Sequence, residues 1–94
     1  MNVRALKNTM EQHAGKSDTN KMLTSVSHWV KRVFDSTKGQ YEAGDITEID
    51  TLQKLVDLGV VHMKKGPEKG LIIAELTPAG KELYMDFVKH GYYL

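Results

Sequence analysis

Residues 46–83 read ITEIDTLQKLVDLGVVHMKKGPEKGLIIAELTPAGKEL. Ile46, Ile49, Leu52, Leu55 (with Val56) and Leu58 recur at steps of three and four, the spacing that lines one face of a helix. Asp45 and Thr47 can each offer a side-chain oxygen to the orphan N–H groups of its first turn. Gly59 stands where a helix stops in a left-handed residue. About thirteen residues at 1.5 Å each make a rod of roughly 20 Å. Two strands follow. The first runs over 60–65, opening Val60-Val61 and ending polar. The second runs over 71–76, with Ile72 and Ile73 central. Between them, Gly66-Pro67-Glu68-Lys69-Gly70 is a hairpin tip, because Pro fixes φ and Gly permits positive φ. Thr77-Pro78 then starts a new helix, with Thr as N-cap and Pro in the first helical position.

This succession resembles the recognition helix, wing and following helix of MarR-like and PadR-like winged-helix regulators. Leu76-Thr77-Pro78-Ala79-Gly80-Lys81-Glu82-Leu83 is similar to their L-T-x-x-G-R/K-x-L stretch, and the leucine-rich helix ending in LGVV is similar to their L-x-x-x-G-L-V. The likeness covers residues 46–84. It implies a mainly α fold with a small β-hairpin: a winged helix with three N-terminal helices, a two-stranded wing and a C-terminal helix, in a single domain over 1–94.

Outward from this stretch, the strongest helical pattern lies over 19–35. Met22, Leu23, Val26, Trp29, Val30, Val33 and Phe34 form an apolar stripe, so Trp29 and Phe34 are expected to anchor the core. An earlier helix is expected over 2–14, with Val3, Leu6, Met10 and His13 or Ala14 on one face and Gly15 as its stop. Arg4 and Lys7 stand near its N-terminus, the unfavourable end of the macrodipole, so it is expected to depend on packing. Residues 15–20 read as a polar connector with Ser17, Asp18 and Thr19 as capping candidates. Residues 36–45, with Gly39 and Gly44, read as a loop with a short turn around 40–43. A helix-turn-helix places a full helix just before the recognition helix. Here only this short piece, or the 19–35 helix with a long turn, can serve. The last helix is expected over 78–90, with Ala79, Leu83, Phe87 and Val88 inward and Lys89 and His90 at its C-terminus, where positive charge is favourable. Tyr92-Tyr93-Leu94 is an apolar tail that folds back on the core or packs on another subunit.

Composition narrows the function. Ninety-four residues suit one small domain, which buries about 60–65 per cent of its unfolded surface. No cysteine means no disulfide framework and no thiolate metal site. No apolar run approaches the roughly 20 residues of a membrane span, and Met1-Asn2-Val3-Arg4 lacks a signal-peptide core, so a cytoplasmic protein is expected. Net charge is +1, distributed unevenly. Residues 1–40 hold seven Lys/Arg against three Asp/Glu, residues 41–59 one against five, and residues 60–94 five against four. The candidate recognition helix thus lies in the acidic part of the chain, against the simplest phosphate-binding scheme.

His13, His28, His62 and His90 have no paired spacing, so no metal site is expected. There is no P-loop and no dinucleotide fingerprint. Ser17, Ser25, Ser27 and Ser36 have no nucleophile context, so neither enzyme activity nor a cofactor is expected. The five methionines are expected to fill core gaps.

Two functions remain. The resemblance implies a DNA-binding transcriptional regulator. Its contacts with double-stranded DNA would come from Lys64, Lys65 and Lys69 in the wing and from Thr47, Glu48, Asp50, Thr51 and Lys54 on the exposed face of the third helix. Glu and Asp there can accept from cytosine N4. The alternative is a protein-interaction or dimerisation module on the same scaffold. A homodimer through residues 2–14 and 78–94 is expected in either case, because the core is small and the first helix weakly capped.

Overall fold

The computed structural model describes the backbone of residues 1–14 and 16–94 and the side chains of residues 1–12 and 18–94. The chain is mainly helical: α1 (Val3–Ala14), α2 (Lys16–Asp35), β1 (Tyr41–Ala43), α3 (Ile46–Asp57), β2 (Val61–Lys65), β3 (Ile72–Leu76) and α4 (Pro78–Lys89). A 3-10 turn over Thr37–Gly39 precedes β1. The expected helix stop at Gly15, the His13 and Ala14 end of the first helical face and capping by Ser17 lie outside the described residues. Among those described, no helix is long and apolar enough to cross a membrane.

Three expectations of local structure change. First, α2 begins at Lys16. Asp18, Thr19 and Asn20 are therefore helical rather than a connector, and Thr19 is buried. Secondly, α1 is well held at its start. Asn2 Oδ1 accepts from the Ala5 N–H at 2.8 Å, and Asp86 of α4 accepts from the Val3 N–H at 2.7 Å. The terminal ammonium pairs with Glu82 at 2.9 Å. Thirdly, the sheet has three antiparallel strands in the order β1-β3-β2, not two. The expected loop over 36–45 contains β1, whose Tyr41, Glu42 and Ala43 pair with Ala74, Ile73 and Ile72. Three residues are too few to show a period, and β3 supplies the hydrogen bonds that make them a strand.

The core gathers Leu6, Leu23, Val30, Val33, Leu52, Val60, Leu83 and Phe87, all essentially inaccessible. Val3, Met10, Val26, Ala43, Leu55, Val61 and Ala74 complete it. Phe34 is not an anchor. It is 44 % exposed and stacks on Tyr84 at 4.0 Å between centroids. Trp29 is half-buried and packs on the edge of the core. Val88 and Met22 are exposed rather than inward. The C-terminal tail folds back: Tyr93 Oη donates to the Ser27 carbonyl at 3.0 Å, Tyr92 stands edge-on to Phe87, and only Leu94 is fully exposed.

Candidate nucleic-acid interface

The N-terminus of α3 is set by Asp45. Its carboxylate accepts from the Thr47 N–H at 2.7 Å and the Glu48 N–H at 3.4 Å, so Asp45 rather than Thr47 is the N-cap. Gly59, at φ +80°, ends the helix and turns the chain into β2. Leu52 and Leu55 bury one face. The hairpin β2–β3 then returns beside α3. Its tip closes through the Gly66 N–H, which donates to the Leu71 carbonyl at 2.8 Å, with Gly70 at φ +89°.

Between α3 and the hairpin tip lies an open groove of about 620 Å³. Ile46, Ile49 and Asp50 line it from the helix, and Lys65, Glu68, Lys69 and Leu71 from the hairpin. This groove unites three of the eight residues expected from sequence: Asp50, Lys65 and Lys69. Thr47 is exposed beside it on the first turn of α3.

The other four are held elsewhere. Side chains alternate across a strand, so Lys64 and Lys65 point to opposite faces of the sheet. Lys64 Nζ pairs with Glu75 at 2.7 Å on the face away from the groove, and Gln40 donates to the same carboxylate at 2.8 Å. The Lys64 ammonium, and after it Gln40, hold the Glu75 carboxyl below its ordinary value. Glu48 turns toward α2, where the Tyr41 hydroxyl donates to it and Arg32 approaches at 3.9 Å. Thr51 donates to the Thr47 carbonyl at 3.0 Å. Together with Lys54, it lines a second groove against Met22, Trp29 and Leu58. Adjacent residues on a helix stand about 100° apart, so Asp50 and Thr51, like Thr47 and Glu48, face different neighbours once α3 lies between α2 and a hairpin.

The chain matches no protein-family model, no curated protein and no solved structure.

Sequence reasoning missed two features. Ile46, expected inward, is 76 % exposed at the mouth of the groove. Its spacing from Ile49 suited the buried stripe, but it lies one turn ahead of the part of α3 that packs. The second feature is an aromatic–cation cluster joining α2, β1 and α3. The Arg32 guanidinium lies 4.7 Å from the Trp29 ring centre and 5.2 Å from that of Tyr41, and it donates to the Tyr41 hydroxyl at 3.1 Å. Burial first, then the bond to Glu48, raise the Tyr41 phenol above its ordinary value. The i, i+3 spacing of Trp29 and Arg32 on α2 was the available signal; Tyr41 joins them only through the pairing of β1 with β3.

Proposed function

We propose that the chain is a winged-helix DNA-binding domain of a transcriptional regulator, with α3 as the helix that enters the major groove and the β2–β3 hairpin as the wing. The observation that carries this reading is the groove in which Lys65 and Lys69 stand opposite the exposed first turns of α3. Cations beside a helix of that length can hold phosphates while the helix faces base edges. The third strand supports the same architecture, because β1 ties the start of α3 to the hairpin through β3. The internal pairing of Glu48 with Arg32 and Tyr41 also turns one of the acidic side chains of α3 away from the duplex. The test is fluorescence anisotropy of a short duplex titrated with the full chain at several salt concentrations. Two phosphate contacts give a log–log slope of about −2. Absence of salt-dependent binding at low salt rejects the reading.

A second reading has its own observation. Met85 is 56 % exposed on α4 and shares a surface groove between α1 and α4 with Met1, which is also exposed. These residues fit a protein-interaction or homodimer surface formed by α1 and α4, with the tail excluded because Tyr92 and Tyr93 are used within the chain. Sedimentation at high micromolar concentration tests it: a dimer dispersed by Met85→Glu supports the surface, and a monomeric parent rejects it.

A further inference from the structure

Ile46 combines a large aliphatic side chain, high exposure and a place on the first turn of a helix. An isoleucine left 76 % in water at the lip of a groove gives up the transfer free energy its neighbours on the stripe gain. Its surroundings limit what can cover it. Thr47 shares its turn, Asp50 stands one turn on, and the hairpin facing it carries Lys65, Glu68 and Lys69. A surface that sets an exposed apolar group beside two ammonium groups, Lys65 and Lys69, and two carboxylates, Asp50 and Glu68, can face a base-pair edge with its ammonium groups toward the phosphates.

Residues of the first turns of a groove-entering helix are the ones that reach base edges. In the major groove, the apolar feature open to an aliphatic side chain is the thymine 5-methyl group, since the other edge positions are hydrogen-bond donors and acceptors. We propose that Ile46 is a specificity-determining residue that packs on a thymine methyl, making the preferred ligand a duplex with thymine at a fixed position. This rests on the DNA-binding reading above and deepens it. Asp50, one turn further along α3, then faces the neighbouring base pair, where its carboxylate can accept from a cytosine amino group.

The test begins by selecting duplexes from a randomised pool with the full chain. In the best duplex, each thymine is then replaced singly by deoxyuridine, which removes the methyl and leaves the pairing edge intact. At one position the parent is expected to lose about 4-fold in affinity, the effect of one buried methyl group. Ile46→Ala is expected to lose affinity for the thymine duplex and to become indifferent to deoxyuridine at that position, while Ile46→Val retains the sensitivity. Because Ile46 is exposed, unchanged thermal unfolding of both variants is the control. Selective binding with no deoxyuridine effect anywhere, or an Ile46→Ala variant as sensitive as the parent, overturns the assignment and leaves DNA binding standing. A parent that enriches and binds no duplex overturns both.

Discussion

Gly80 of α4 lies against the backbone of Val60: a β-carbon at position 80 would stand 2.0 Å from the Val60 carbonyl oxygen. The same carbonyl accepts from the Thr77 N–H at 3.1 Å. Thr77 Oγ1 in turn donates to the Gly59 carbonyl at 2.7 Å and accepts from the Gly80 N–H at 3.1 Å. Thr77, Gly80, Gly59 and Val60 thus lock the start of α4 to the turn after α3. Glycine inside a helix ordinarily costs about 1 kcal/mol relative to alanine, so Gly80→Ala would stabilise an unconstrained helix. Here the contact is with backbone and cannot be relieved by a rotamer. Gly80→Ala is expected to destabilise the domain by roughly 2–3 kcal/mol, the upper range for overpacking, in urea unfolding. A neutral or stabilising result would show that α4 shifts away at little cost.

Phe87 and Trp29 separate core from rim. Phe87 is fully buried, and Phe87→Ala is expected to cost about 3–5 kcal/mol, a large part of the stability of a small domain. Trp29 is half-buried under Arg32, so Trp29→Ala is expected to cost clearly less. Thermal melts of the two variants check the order; equal losses would place Trp29 in the core.

The alternation of β2 sets an order among the wing lysines. Lys65→Ala and Lys69→Ala are each expected to lower the salt slope of duplex binding by about one. Lys64→Ala is expected to leave it nearly unchanged, because Lys64 is on the far face and held by Glu75. Equal loss from all three would mean that the duplex approaches the hairpin end-on.

Glu75 predicts a pH dependence of stability. Its folded pKa lies below the ordinary 4.5 because Lys64 and Gln40 bind the carboxylate. The contribution is therefore present above the unfolded value and is lost as pH falls through the lower folded value. Glu75→Gln is expected to unfold at lower urea than the parent at pH 7, and the difference is expected to shrink as pH falls through the carboxylate range. A constant difference across that range would assign the effect to packing rather than to charge.

How much of this was legible follows from the range of the interactions involved. The helices α3 and α4 and both hairpin strands could be read from residues 46–83, because caps, glycine stops and periodicity act within a few residues. Thr77, Gly59 and Gly70 serve as those local rules expect. The long helix α2 was recognised by its stripe, although its start was placed three residues late. The strand β1 could not be read, because its hydrogen bonds come from a strand about thirty residues later in the chain.

The candidate site divides along the same line. The sequence by itself determined that a helix, a glycine-bounded hairpin and a second helix follow one another. Only the tertiary structure decided which lysine faces α3, that Glu48 is taken up by Arg32 and Tyr41, and that Ile46 stands in water. The physical reason is that local patterns set which side chains share a face, whereas the partner of each face depends on how the long-range pairing of β1, β3 and β2 docks the elements together.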